Sequence, residues 1–578
     1  MNLVYIVVIM YTRQIGNPHR VVTQDGRADL RVHLVGPHPI LLHFLDRMTF
    51  ARIISGCLGT PRQRSLDHAQ TLSVLIQNII LSPAPLYRIA EWADPISPRA
   101  LGLSATEKRS LNDDRVARSL EALSSSRARS LFFRLALHVI KQFELDTGRV
   151  HHDTTTVTFH GQYAESVEPP RMARGLNKDH RPDLKQLVFG LNVTADGAVP
   201  LSHEIYSGNR TDDTIHCGNV DRLREILGRD DFIYVADSKL CTRKNLKHVE
   251  QYGGKFVTVL PRTRSEDKQF RKELREGARV RWRRFVELEN PRRKTGPPVV
   301  YRTTADGPRL TSEGHRIVWC RSSQKEILDA QIREHALQKA EFELVSLGAR
   351  LNRGKLRKRG AIGKKVRGLL REHKCHQLLT VTIESQVRIQ EKRIRRGRPK
   401  KGDPVREIRS RIYRLKVRRD KAAIRADART DGVFPLVTNL DAGQVSKKQI
   451  LLIYKYQPYV EKRHALFKSE LGVAPVYLKR PNRVVGLIHA TYLAMTLDAL
   501  IERAVRRGMQ EQGITELHIL PEGRPSTTPT TARILEMFSG VSWYEFERGG
   551  ETVAFPIQLT AIQKDLLHLL GIDPAVYA

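Results

Sequence analysis

At 578 residues the chain is too long for one hydrophobic core, so several domains are expected. It carries 98 Lys and Arg against 62 Asp and Glu, a formal charge of +36, which favours a polyanionic partner, nucleic acid before an anionic membrane. Five cysteines, at 57, 217, 241, 320 and 375, are too few for a disulfide framework and show no CxxC spacing for zinc, so reduced thiols and a cytoplasmic location are expected.

Residues 1–35 form an N-terminal segment whose only apolar run, Leu3 to Met10, falls far short of the ~20 residues of a membrane span and is read as a strand or as an over-extended start. Residues 36–145 carry apolar groups at helical spacing in ILLHFLDRM, AQTLSVLIQNIIL, ARSLEAL and SLFFRLALHVIKQF. They predict an all-α domain, either a helix-turn-helix-like DNA reader or a bundle that packs on the next domain or dimerises.

From residue 146 the pattern changes to strands: Val150 to His160, Leu187 to Val193 and Val199 to Ile205, the last two joined by an Asp196-Gly197 turn signal. A helix over Thr214 to Leu227 follows, then the apolar run FIYVA ending at Asp237, a helix over Thr242 to Gln251 and a strand over Lys255 to Leu260. Two carboxylates stand out. Asp153 lies on or just ahead of the first strand, and Asp237 closes a short buried strand, where open α/β sheets place their sites.

Residues 262–430 interrupt this pattern with a strand-rich portion holding Trp282 and Trp319 and a long polar helix, Gln324 to Leu351. Residues 351–425 then carry 27 Lys and Arg against 6 Asp and Glu, yet contain the apolar runs QLLTVTI and IYRLKV, so an ordered DNA-facing subdomain is expected. Within it Arg395, Arg396 and Arg398, in RRGRPKK, either resemble a minor-groove AT-hook core or form a charged loop. The sequence HKCH around Cys375 reads as a solvated turn without a role.

Residues 431–510 return to the sheet with Val433 to Asn439 and continue into a helix predicted over Lys448 to Glu470 despite Pro458. Tyr454, Glu461 and Lys468 are seven residues apart and would share one face, with His464 a turn beyond Glu461 and Lys462 beside it. Ile488 to Val505 is an apolar helix too interrupted to span a membrane, and 511–578 is a mixed region suited to subunit contact.

The element order β-β-β-α-β-α-β, with one Asp on the first strand and another after the fourth, is that of the ribonuclease H-like fold. The chain resembles the DDE transposases of the insertion-sequence-four group from about residue 36 to 510. That group is marked by Tyr, two residues, Arg, three residues, Glu, six residues, Lys, and the same spacing here gives Tyr454, Gln457, Glu461 and Lys468. Gln457 stands where the group has Arg. YLKRPNRVVGLIHATYLAMTL, YSGNRTDDT and the large insertion are also similar to that group.

The resemblance implies a multidomain α/β protein with a ribonuclease H-like core interrupted by a basic insertion. It implies Asp153, Asp237 and Glu461 as catalytic ligands of two Mg²⁺ (or Mn²⁺) ions that activate the attacking oxygen and stabilise the leaving one. Tyr454, Gln457, Lys462, His464 and Lys468 would contact DNA, Trp282 or Trp319 would stack a flipped base, and the protein would act as a homodimer on paired transposon ends. The alternatives are a catalytically inactive DNA-binding derivative and a nuclease without strand transfer.

Overall fold

The computed structural model describes all residues except 1–19, 24–25, 60–65, 84, 126–127, 161–162, 164–169, 176–180, 290–295, 395–404, 473–477 and 549–550. The chain divides into two compact units, Met1–Val257 with Ile453–Ala578, and Thr258–Leu452. The expected all-α domain is therefore not a unit of its own, and the terminal segments belong together.

Two strands near the N-terminus, β1 (Arg20–Thr23) and β2 (Gly26–Leu34), pair with two from the other end of the chain to give a sheet of order β1-β2-β14-β15. The partners are β14 (Ser542–Arg548) and β15 (Glu551–Phe555), and β14 runs antiparallel to β2 from Ser542↔Leu34 to Arg548↔Ala28. Leu3 to Met10 lies outside the described residues.

The second sheet of this unit places the site. β3 (Arg149–Phe159), β4 (Lys185–Thr194) and β5 (Pro200–Ser207) form an antiparallel meander. β6 (Ile233–Val235) and β7 (Lys255–Val259) then run parallel to β3, giving the order β5-β4-β3-β6-β7. The helices His216–Leu227 and Arg243–Glu250 make the crossovers that parallel strands require. The Asp-Gly signal does form the β4–β5 turn, with Gly197 at φ 82° and Thr194 Oγ1 donating to the Asp196 carbonyl at 2.9 Å.

Beside this sheet lies the 31-residue core helix, Pro481–Glu511. Its proline sits in the first turn, where a missing N–H costs nothing. By length and composition it is apolar enough to cross a membrane, contrary to the sequence reading, but 89% of its apolar window is buried inside the protein. The helices His68–Leu81, Asp113–Leu123 and Ala561–Leu570 pack around it. Gly486 permits one of these contacts, because a Cβ there would stand 2.1 Å from the Leu120 carbonyl oxygen. The N-terminal helices are thus a shell around a buried helix from the far end of the chain.

The second unit holds β8 (Arg283–Leu288), β9 (Val299–Thr304), β10 (Arg316–Ser322) and β13 (Val433–Thr438), in the antiparallel order β13-β10-β9-β8. Because β13 pairs with β10 along its whole length, this unit continues beyond residue 430. A long helix, Ser323–Ala349, and a second, Arg359–Glu372, carry a small core with Leu344, Ile362, Val366 and Tyr413. Cys375 is fully buried in that core, so it is an apolar filler, not part of a solvated turn. From this core rises a two-stranded ribbon of β11 (Leu379–Arg393) and β12 (Val405–Arg419), formed by the two apolar runs noted in the basic stretch.

Candidate active site

Asp153 lies within β3, and Asp237 follows the end of the neighbouring strand β6. β3 and β6 pair in parallel with His151 opposite Val235, and each carboxylate follows two residues later. Adjacent strands lie about 4.8 Å apart, so the two residues come from neighbouring stretches of the sheet. Asp237 lies past the end of β6, and its Oδ1 accepts the Lys239 backbone N–H at 2.9 Å, which fixes the turn after the strand.

The helix predicted over Lys448 to Glu470 is in fact three pieces: Lys447–Tyr454, a carboxylate helix Gln457–Ala465, and a π-helical turn Leu466–Glu470. The break has a covalent cause. Pro458 lacks an N–H and is tolerated only in a first turn, so a new helix starts at Gln457. The seven-residue spacing of Tyr454, Glu461 and Lys468 therefore does not run along one regular helix, and Lys468, half-buried, is carried by the π-turn.

The carboxylate helix is pinned to β3 at two points. Gln457 is buried; its Nε2 donates to the His152 carbonyl at 2.7 Å, and its Oε1 lies 3.2 Å from His151 Nδ1. Seven residues on, His464 Nε2 lies 4.0 Å from Asp153 Oδ2. Glu461 stands one turn after Gln457 and one turn before His464 on that same stripe, so it is delivered to the face bearing Asp153. Further along, Phe467 stacks on Phe189 of β4 at 4.3 Å between ring centroids. The helix's other side is anchored by Arg463, a buried residue whose guanidinium donates to the Gly197 and Ala198 carbonyls. It also pairs with Asp498 (2.8 Å) and Glu502 (2.7 Å) of the core helix.

Tyr454 sits amid the carboxylates. Burial first, then the negative charges of Asp237, Glu461 and Asp153, push its phenol well above the usual range. The phenol thus stays protonated at neutral pH, a hydrogen-bond donor within electrostatic reach of all three acids. The His151 imidazole is driven the other way, down to about 4, chiefly by burial, so it is neutral where it meets Gln457.

Three expected contacts change character. Gln457 is a buried positioning amide whose Nε2 and Oε1 are both engaged at β3. His464 is also buried and faces Asp153 instead of solvent. Trp319 is 2% exposed, packs on Phe270 at 4.3 Å and donates its Nε1–H to the Pro308 carbonyl at 2.8 Å, so no base can reach its faces. Trp282 is half-buried with the Arg321 guanidinium over its ring. Glu461 and Lys462 are exposed, with Lys462 Nζ 5.1 Å from the Tyr459 ring. Arg395, Arg396 and Arg398 lie outside the described residues.

Sequence reading missed the support beneath the site. On the opposite face of β3, His152, Asn192, Asn219 and Tyr234 form a buried hydrogen-bonded network, and Thr154 Oγ1 donates to Asp212 Oδ1 at 2.8 Å. Asn192 within the apolar run LVFGLNV was the available signal, since an amide buried in a strand must find partners.

The donors at the site are hard oxygens, which suits Mg²⁺ or Mn²⁺ and not a soft metal. Among the described residues, no group of three or more His, Cys, Asp or Glu side chains could hold an ion. An Mg²⁺ ion can be held by one or two carboxylates, with water and substrate phosphate completing its shell.

A family model described as a domain of unknown function, DUF4277, matches residues 31–137, which include none of the three acids. No curated protein matches. Among solved structures, the piggyBac transposase synaptic complex with hairpin DNA is 9% identical, covering 88% of this chain and 80% of that one, with a TM-score of 0.36. The Mos1 transposase paired-end complex with left transposon end is 15% identical, covering 34% of this chain and 60% of that one, with a TM-score of 0.14. A pre-cleavage Mos1 transpososome is 14% identical over the same shares, with the same score. The protein is of mixed α/β class, built on a mixed sheet.

Proposed function

We propose that the chain is a metal-dependent DNA transposase on a ribonuclease H-like core. It would bind the inverted ends of its element as a homodimer, cut them and join the freed 3′ ends to target DNA. The observation that carries this reading is the placement of Asp153 within β3 and Asp237 just past the neighbouring parallel strand β6, with Glu461 on the helix that Gln457 fastens to β3. Asp153, Asp237 and Glu461 would hold the divalent ions. When bound, these supply activation of the attacking oxygen and neutralisation of the leaving one.

The chain's own residues do the rest. Gln457 and Arg463 fix the carboxylate helix on the sheet, so that Glu461 faces Asp153 before DNA arrives. Tyr454 stays protonated and offers a hydrogen bond to a phosphate oxygen among groups that would otherwise repel it. Lys462 and Lys468 supply positive charge to the end DNA, and the basic second unit supplies more.

The test is strand transfer: a labelled DNA end is incubated with the protein, Mg²⁺ and an unrelated plasmid. Joined product supports the transposase. Cleavage without joining would replace it with a nuclease, and binding without cleavage with an inactive derivative.

A further inference from the structure

The β11–β12 ribbon has two faces of different chemistry. The register runs unbroken through fifteen pairs, from Leu379↔Arg419 to Arg393↔Val405, so the residues of each face can be assigned. One face carries Leu379, Val381 and Ile383 with Tyr413, Leu415 and Val417 near the base, where these are buried or partly buried on the core of the two helices. The other carries Arg388, Lys392, Arg406, Arg414, Lys416 and Arg418, all exposed, against one acid, Glu384, whose Oε1 lies 3.7 Å from Lys416 Nζ.

A surface with six cations and one anion is not a packing face. Its spacing is regular, because Arg414, Lys416 and Arg418 alternate along β12 and so recur about every 6.8 Å. The ribbon is about 50 Å long at ~3.4 Å per residue, close to one and a half turns of duplex. Two strands about 4.8 Å apart fit the ~12 Å major groove of B-DNA, and the native twist of a ribbon lets it follow that groove.

We infer that the exposed basic face of this ribbon docks in the major groove of duplex DNA and supplies a large part of the chain's sequence-independent affinity. This deepens the transposase reading and takes from it only the partner; the ribbon is a binding arm whether or not the carboxylates cut.

The experiment uses the full chain and a random-sequence 30-base-pair duplex, with binding followed by fluorescence anisotropy across a salt series. Wild type is compared with a ribbon variant, Arg388→Gln, Arg414→Gln, Lys416→Gln and Arg418→Gln, and with Arg409→Gln/Arg411→Gln on the opposite face. The ribbon variant is expected to lose at least about tenfold in affinity and about 3 to 4 from the log–log salt slope, at ~0.9 per phosphate contact. The opposite-face pair should change the slope by less than about 1. Duplex RNA, whose major groove is too narrow to admit a ribbon, should bind more weakly and indifferently to these changes. An unchanged slope in the ribbon variant, an equal loss in the opposite-face pair, or equal ribbon-dependent binding to duplex RNA would overturn the inference. Metal-dependent cutting is scored separately with saturating protein: its absence in wild type removes the transposase reading and leaves the ribbon result standing.

Discussion

Gln457 shows how one residue can satisfy a spacing and hold a different job. Its position matches the Arg of the Tyr-Arg-Glu-Lys pattern, but its amide is buried between the His152 carbonyl and the His151 ring. An Arg carrying full charge could not sit in that place without a counter-ion. Gln457→Ala is expected to lower stability by about 1 to 3 kcal/mol, the cost of leaving buried groups unsatisfied, and to leave DNA affinity within about twofold. A large fall in affinity with unchanged denaturant midpoint would return Gln457 to the DNA interface. Arg463 carries more weight, because its loss leaves the buried Asp498 without its guanidinium partner, while Glu502 keeps Arg506 at 2.6 Å. Arg463→Met should cost about 3 to 5 kcal/mol, read as a lowered urea midpoint. Arg463's role leaves no mark in the sequence, since a basic residue beside Lys462 looks like part of a charged surface. Asp153 and Asp237, by contrast, were legible because each is an acid beside a run of strand-forming residues, Asp153 within β3 and Asp237 just past β6.

The carboxylate helix and the ribbon are where elements departed from their patterns. A continuous helix was expected because apolar and polar residues keep their period through Pro458, yet periodicity reports which face is buried and is blind to a missing N–H. Pro458 already sits in a first turn, so Pro458→Ala is expected to shift stability by less than about 1 kcal/mol. A loss of several kcal/mol on circular-dichroism melting would mean that the break is strained. The ribbon was half-legible: QLLTVTI and IYRLKV mark the strands, but their pairing, and hence the gathering of cations on one face, depends on register. A one-residue slip would exchange the two faces, and composition cannot detect it.

For the molecule as a whole, the sequence reading found the meander and its crossovers, because each carries a local period. It missed that the N-terminal helices wrap the core helix and that the first strands join the last. Contacts between positions some 500 residues apart leave no local mark. Burial on this scale also sets an acid response. His38 and His151 are held down to about 4, and His216 and His489 to about 3, chiefly by burial. Their unfolded values are near 6.5, so between pH 6.5 and 4 the unfolded chain binds more protons and stability falls as pH falls. Each contributes about 1 kcal/mol per pH unit in that window. Asp498, raised to about 6 by burial, opposes them, since the folded state gains from its protonation as pH drops below 6. The net expectation is a urea midpoint clearly lower at pH 5 than at pH 7, well above the range where ordinary carboxylates titrate. A flat response would mean that these histidines are hydrated.

Three carboxylates acting together are the centre of the proposed mechanism. The most direct test is cleavage of a plasmid bearing the DNA that flanks this reading frame, by wild type, Asp153→Ala, Asp237→Ala and Glu461→Ala, with and without Mg²⁺. Wild type should cut only with metal, and each variant should bind the same DNA within about twofold yet fall at least about a hundredfold in cutting, as when a group that stabilises the transition state is removed. Normal cutting by any one variant would contradict the assignment, as would metal-independent cutting by wild type.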